Sequence, residues 1–395
     1  VCGDDCPPPL LEWGSLKFPH SEVGCHRRDF LLASVERSVW KEPTAVQMQT
    51  IPILGAGRDI AVCSPTGSGK TGAFAIAALV KLSSPPLDRV SAVGPRVLFI
   101  APTRELAAQI HRETVCLATG SAVPVNLLTK PSTRTTGVLV STPVQLVASL
   151  RKGDLCLSCV ELVVVDEADR LFDDPQDRVL DSSGCLNLLD QVLEKCDHSK
   201  VQRALFSATL TQRVAQLVTS ILRDPLNVSI GLANTGAISI EQSLRFVGRD
   251  QGKLVAIRSL IQEGLRPPAL IFVRNGERAK ELHQELIYDG VNVDRVDSDL
   301  SFEKQKAAIR RFRLGKVRPL FLACVLDLRN SSQVWMLVCT DHLARGIDFK
   351  GVKMVINYDF PTSSVSYIHR IGRTGRSGQS GLAITFFTEA DVPAL

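Results

Sequence analysis

Nine short apolar runs, each followed by a longer segment of helical period, limit what this chain can fold into. In the first half they are "DIAVC", "RVLFIAP", "GVLVSTP", "LVVVDEAD" and "RALFSAT"; in the second they are "ALIFV", "VWMLVCTD", "MVINYDF" and "LAITFF". Runs without polar alternation suit strands buried on both faces, and strand–helix alternation argues for parallel sheets covered by helices on both sides. The helical segments have the matching period: in "ERAKELHQELIYDG", Ala279, Leu282, Leu286 and Ile287 are expected on one apolar face. Between the two sets, "IGLANTGAISIEQS" is rich in small residues and reads as a linker. At 395 residues the chain can build two cores. The expected organisation is α/β: an N-terminal flank over 1–15, a first parallel-sheet domain over 16–231, a linker over 232–241 and a second domain over 242–395. Two such lobes invite a ligand between them.

Directly behind "DIAVC" stands "SPTGSGKT", residues 64–71. Gly67 and Gly69 let the backbone turn its N–H groups onto phosphates, and the helix that follows adds the positive end of its dipole. Lys70 would reach the β- and γ-phosphates, and the Thr71 hydroxyl would ligate Mg²⁺. Thr66, Gly67, Ser68, Gly69, Lys70 and Thr71 together form the expected ATP-phosphate site. The usual pattern has a glycine six positions before the lysine, where this chain has Ser64. An ordinary Gly/Ser turn is the competing reading, and kinases, GTPases, motors and helicases all carry such loops. In "VVVDEAD", acids stand at the end of a buried strand. Asp166 is placed to hold Mg²⁺ and Glu167 to orient or deprotonate an attacking water. Solubilising acids at a strand end are the alternative.

Composition narrows the partners. No apolar stretch is long enough to cross a bilayer, so no membrane partner is expected. The chain opens at Val1 without a basic, apolar leader and is expected to begin at a fragment boundary. Eleven scattered cysteines, with one Cys-x-x-Cys at Cys156 and Cys159 and no second pair at zinc spacing, read as reduced thiols of a cytosolic or nuclear protein. Residues 1–241 carry 23 Lys+Arg against 25 Asp+Glu, a balance of −2; residues 242–395 carry 23 against 16, a balance of +7. A basic second half suits a polyanion, as it suits a solvated surface.

The motifs "PTAVQ", "SPTGSGKT", "PTRELA", "STPVQL", "VDEAD", "SAT", "CTDHLARGIDF" and "HRIGRTGR" follow one another in the order found in DEAD-box RNA helicases, and the chain resembles that family from about residue 30 to 388. The resemblance implies two tandem RecA-like domains that close on ATP and single-stranded RNA, hydrolyse ATP with Mg²⁺ and separate short duplexes. It places Trp40 and Gln47 at the adenine, although Trp40 can also be read as a core aromatic and Val39 stands where a glycine is usual. It assigns Thr103, Arg104, Thr142 and Thr340 to RNA, with a plain surface charge the alternative for Arg104. Asp348 would meet the nucleotide ribose, Arg373 and Arg376 would be arginine fingers on the γ-phosphate, and His369 would couple the lobes. "SAT", 207–209, resembles the element linking hydrolysis to strand separation. Text between the motifs, "LARGIDFKGVKMVINYDFPTSSVSYIHRIGRTGRSG" and "AITFFTEADVP", is most similar to the Rok-type ribosome-assembly subgroup. That implies pre-ribosomal RNA of the small subunit as partner, protein cofactors in a pre-ribosomal particle, a monomeric enzyme and a nuclear, nucleolar location.

The chain departs from the family at four further points. Gln145 replaces an arginine, and in the short stretch between "PTRELA" and "STPVQL" the family's glycine-pair RNA contact is not located. In "DSDLSFEKQKAAIRRF" the family's Gln-x-x-Arg register falls on Phe302 and Gln305. Weaker RNA affinity is expected. The stretch 317–333, "VRPLFLACVLDLRNSSQ", interrupts a short connection. Val317–Arg318 fits a splice-donor codon sequence and Gln333 a splice acceptor, so an unspliced intron is expected, with a true insertion as the alternative. Three other classes compete: an ATP-gated RNA clamp with little turnover, a phosphate-loop metabolic kinase and a related DNA helicase. "HRIGRTGR" in a second lobe argues against the kinase.

Overall fold

The computed structural model describes residues 1–18, 22–38, 40–85, 94–128, 136–172, 184–231, 239–314, 334–341, 349, 351–375 and 379–394. The chain divides into two compact units, Val1–Thr235 and Gly236–Leu395. Asp348, Arg376 and the stretch 317–333 lie outside the described residues.

The first unit runs α1 (Glu22–Glu36), α2 (Ala45–Gly55), β1 (Ile60–Cys63), α3 (Lys70–Lys81), β2 (Val97–Ile100), α4 (Arg104–Leu117) and β3 (Val125–Leu127). It continues β4 (Val138–Ser141), α5 (Pro143–Arg151), β5 (Leu162–Val165), α6 (Gly184–Lys195), β6 (Gln202–Ser207), α7 (Gln212–Ile221) and β7 (Leu226–Ser229). Its sheet has the order β3-β4-β2-β5-β6-β1-β7, parallel throughout. The apolar runs are uninterrupted because the sheet is covered on both faces. In β2, Val97 and Phe99 join one core cluster while Leu98 and Ile100 join another. Phe74 of α3 seals the first cluster, its ring 4.9 Å from Phe99 and 5.1 Å from Phe206.

The second unit runs β8 (Ile240–Phe246), α8 (Gly252–Gln262), β9 (Ala269–Val273), α9 (Gly276–Tyr288), β10 (Val293–Val296), α10 (Phe302–Leu314), β11 (Met336–Thr340), β12 (Met354–Asn357), α11 (Ser364–Ile371) and β13 (Gly381–Phe387). The sheet order is β10-β11-β9-β12-β13-β8, again parallel. Ile271 and Val273 of β9 face one cluster, Leu270 and Phe272 the other. Two parallel α/β sheets, each with helices on both faces, are therefore the architecture.

Three sequence readings change. On α9, Ala279, Leu282 and Leu286 are buried as expected, but Ile287 is 52% exposed; one residue past Leu286, it is turned about 100° around the helix, off the apolar stripe. The stretch read as linker ends inside a strand, since β8 already begins at Ile240. Residues 1–15 pack on the first unit: Cys2 bridges Asn227 of β7, and Leu10 and Trp13 are buried in its core.

Candidate nucleotide and nucleic-acid site

Three neighbouring strands of the first sheet, β5, β6 and β1, release the chain at the same carboxyl edge. Crevices of this kind are where open parallel sheets bind ligands. The loop after β1 holds Gly67 at φ +80° and Gly69 at φ +98°, left-handed values that a side chain would strain. Ser64, standing where a glycine is usual, is accommodated without a positive φ. Its N–H donates to Ser207 O (3.1 Å), prolonging the β1–β6 ladder, and its hydroxyl pairs with that of Ser68 (2.9 Å). Lys70 opens α3. Its buried ammonium is folded back onto the loop, donating to Ser64 O and to Pro65 O (2.9 Å). Burial pulls its pKa below the usual lysine range, against the attraction of Asp166, Asp169 and Glu167.

Beyond β5, Asp166 is 3% exposed and its carboxyl is pushed up to about 7, by burial first and by Glu167 second, with Lys70 opposing. Its Oδ1 accepts the N–H of Glu167 (2.9 Å). Glu167 sits in the left-handed region at φ +48°, a strained conformation for a side-chain residue, and its carboxylate pairs with Arg170 Nε (3.2 Å). Asp169 Oδ2 accepts from Thr209 N (3.1 Å) and Thr209 Oγ1 (2.7 Å), tying "DEAD" to "SAT" across β5 and β6. Sequence reasoning gave Asp169 and Arg170 no role; the signal available was their place in and beside the acidic tetrapeptide.

The base-reading candidates lie against the same loop. Gln47 is buried. Its Oε1 accepts Thr44 N (2.9 Å) at the start of α2 and its Nε2 donates to Gly69 O (3.4 Å). Trp40 is half-buried, packs against the core, and has its carbonyl held by Trp13 Nε1 (3.2 Å).

The RNA candidates of this unit follow β2 and β4, the next strands along the sheet. Thr103 caps α4, its hydroxyl accepting Leu106 N (3.2 Å), and Arg104 is exposed beside it. Thr142 is buried before α5, its hydroxyl donating to Gln145 Oε1 (3.3 Å).

In the second unit, Thr340 ends β11 and is buried. Asp341 after it accepts from Arg370 Nε (2.6 Å) and Nη2 (2.7 Å) and from Ser366 Oγ (3.1 Å). Arg370 also donates to Asp359 O (2.8 Å) and lies over Phe272. Of the three arginines in "HRIGRTGR", this one is a structural fork, the one to which sequence reasoning gave no role. Arg373 is 4% exposed, its Nε donating to His369 O (3.2 Å); His369 is buried.

The first unit's edge fits a nucleotide with Mg²⁺. Asp166 is a buried acid whose ionised form is disfavoured, a deficit that a cation relieves, and Thr71 offers a hydroxyl at the start of α3 beside it. Carboxylate and hydroxyl oxygens are the hard donors Mg²⁺ takes, usually few from protein and the rest from phosphates and water. Among the described residues no three His, Cys, Asp or Glu side chains gather as a metal site by themselves, so substrate oxygens would complete the shell.

Compared with known proteins, residues 44–217 match the DEAD/DEAH box helicase family and residues 252–378 the helicase conserved C-terminal domain. The chain is 42% identical over 407 residues to "Probable ATP-dependent RNA helicase DDX52" of Bos taurus, covering 100% of this chain and 63% of that protein. It is 38% identical over 408 residues to "ATP-dependent RNA helicase ROK1" of Yarrowia lipolytica, covering 99% and 69%. Against the solved structure of S. cerevisiae Dbp5 bound to RNA and ADP BeF3 the TM-score is 0.77 at 25% identity, over 96% of this chain and 90% of that one. The chain thus spans somewhat under two thirds of the bovine protein and somewhat over two thirds of the yeast one.

Proposed function

The chain belongs to the DEAD/DEAH-box helicase family, and we propose that it is an RNA-stimulated ATPase of the Rok type that separates short RNA duplexes during small-subunit ribosome assembly. One observation carries the reading: phosphate loop, paired acids and the Asp169–Thr209 tie emerge from three adjacent strands of one sheet. In this proposal the N–H groups of the loop and Lys70 hold the phosphates, Lys70 leaving Ser64 O and Pro65 O to do so. Trp40 and Gln47 take the adenine. Thr71 and Asp166 would hold Mg²⁺, which when bound neutralises charge on the phosphate oxygens. Glu167 orients the attacking water and accepts its proton. Arg373, Arg376 and His369 complete the site from the second unit, with Asp348 at the ribose. Thr103, Arg104, Thr142 and Thr340 contact the RNA backbone, so RNA and ATP favour the same closed state and raise each other's affinity. Pre-ribosomal RNA, protein cofactors of the particle, a monomeric state and a nucleolar location are part of the same proposal, supported by the resemblance of the sequence to the Rok-type subgroup.

Phosphate release measured with no nucleic acid, with single-stranded RNA and with DNA of the same sequence tests the proposal. Stimulation by RNA alone is expected. Equal stimulation by DNA would turn the reading towards a DNA helicase, and ATP-dependent RNA retention without turnover towards a clamp.

A further inference from the structure

Gly72 is the third residue of α3, two positions after Lys70. Glycine inside a helix costs about 1 kcal/mol relative to alanine, and here no left-handed φ requires it. The reason lies in packing. A Cβ built on Gly72 would stand 2.2 Å from Trp40 Cη2 and 2.7 Å from both Cζ2 and Cζ3. The outer edge of the indole therefore occupies the space that any other residue at 72 would fill. The same helix start seats the second base-reading side chain: a Cβ on Gly69 would stand 2.9 Å from Gln47 Nε2 and 2.8 Å from Thr44 Oγ1. Gly69 is also demanded by its backbone, whereas Gly72 is explained by Trp40 alone.

We propose that Gly72 is a positioning residue for base recognition: it admits the Trp40 indole against the first turn of α3 and so fixes the base-stacking surface relative to the phosphate cradle of Lys70 and Thr71. This rests on the reading of Trp40 as the adenine-stacking residue. The backbone that carries the indole is pinned. Its backbone N–H donates to Ser38 Oγ (3.1 Å) and its carbonyl accepts Trp13 Nε1 (3.2 Å), so the residue is held on both sides of its own Cα. A methyl group at 72 must therefore push the ring, and the ring is the part that meets the base. The phosphate ligands beside it keep their places, because Ala is a better helix former than Gly. Tryptophan at 40 and glycine at 72 form a size pair, and a smaller ring should tolerate a larger residue at 72.

The test uses the full chain and fluorescent ATP and GTP analogues, read both as equilibrium binding and as KM and kcat of RNA-stimulated turnover. Gly72→Ala is expected to weaken ATP-analogue binding and raise KM for ATP by about tenfold, with kcat within a few-fold and the ATP-over-GTP preference reduced. Trp40→Phe is the reference for a smaller ring. The double variant W40F/G72A should bind ATP within a few-fold of W40F alone, since the phenyl ring leaves room for the methyl. A G72A chain with parental ATP affinity and base preference overturns the proposal. So does a double variant as impaired as the sum of its parts. If the parent binds both analogues equally and Trp40→Ala changes nothing, Trp40 is no base-stacking residue. That result sinks the adenine assignment and the proposal together, whereas a parental preference that survives G72A sinks the proposal alone. Should G72A alone melt early, the double variant and its W40F reference still decide the size pairing.

Discussion

Each unit buries a lysine at the carboxyl edge of its parallel sheet, and the two are held in opposite ways. Lys70 rests on neutral carbonyls, Ser64 O and Pro65 O, and burial depresses its pKa. Lys253 is 2% exposed and pairs with Asp359 Oδ1 (2.7 Å) and Asp250 Oδ1 (2.8 Å), with Arg278 joining the same two acids (3.5 and 2.8 Å). The acids follow suit. Asp166 is pushed up to about 7 by burial and by Glu167. Burial alone would raise Asp359 and Asp250 as well, but the hydrogen bond from Lys253 and the charges of Lys253 and Arg278 bring both below the usual carboxylate range. Burial shifts Lys70 and Asp166 towards their neutral forms at one edge, whereas Lys253 and Asp359 settle each other as an ion pair at the other. Shifted groups of the first kind cluster where a ligand binds or reacts; the settled pair marks a fastening.

The sharpest test exchanges each lysine for a neutral side chain of similar length. Lys70→Met should lower RNA-stimulated turnover by roughly 10²–10³-fold or more, the scale of losing a preorganised charge at the reacting group. Its folding stability should stay within about 1 kcal/mol, since no buried ion pair is broken. Lys253→Met should do the reverse: a loss of about 3–5 kcal/mol in the second unit from leaving Asp359 buried without its partner. Turnover and thermal melts of both variants measure the contrast. Comparable destabilisation by both would show that the two lysines do the same work.

Arg373 asks whether the second unit contributes chemistry as well as fastening. Arg373→Ala should reduce RNA-stimulated turnover by roughly a hundredfold or more, while ATP binding without RNA changes little. Because the side chain is buried on His369 O, the melting temperature has to be read alongside. A loss of stability that accounts for the lost turnover would place Arg373 with Arg370 among the structural forks.

Acid gives the two edges opposite signs. Asp359 has a lowered pKa in the fold, so the unfolded chain binds more protons; its contribution is present above the ordinary carboxylate value and is lost as pH falls through the lowered one. For Asp166 in the nucleotide-free chain, the folded form binds more protons, and stability falls as pH rises from the ordinary carboxylate value through about 7. Hydrogen exchange followed separately in peptides of each unit should show the second unit failing first below the carboxylate range. Loss of protection at one common pH would break the contrast.

Much of the fold and of the first unit's site is legible in the amino-acid order. The nine strands readable as apolar runs are the inner strands, where both faces are covered. The four without such a run, β3, β7, β8 and β10, are the sheet edges. β7 alternates buried and exposed residues, and β8 buries only its first residue fully, so "IEQSLRF" looks like polar linker. The phosphate loop and acids are legible because loop geometry and strand-end acids are local patterns. The Lys253–Asp359 pair is not, since 106 residues separate the partners. Nor is the seat of Trp40 on Gly72, because a glycine in a helix carries no sign of what fills the missing side chain.

The smallest expected effect concerns the charge that the first unit lacks. Its half of the sequence carries a balance of −2 against +7 for the other. At the third residue of α5, Gln145 accepts the Thr142 hydroxyl, while Gln305 in the second unit is turned inward, its Nε2 donating to Asp297 O (3.0 Å) and Leu300 O (2.8 Å). Neither glutamine brings a charge to a polyanion. Gln145→Arg adds a guanidinium beside the amino end of a helix, where backbone N–H groups already favour anions, and releases Thr142 from its present acceptor. RNA affinity at moderate salt should rise a few-fold, and the slope of log affinity against log salt should steepen by about 0.7 for one added phosphate contact on a single strand. Turnover at saturating RNA should not change, because the reacting groups are untouched. An unaltered salt slope would mean that no phosphate passes α5, leaving Thr103 and Arg104 at the neighbouring strand end as the first unit's candidates for RNA.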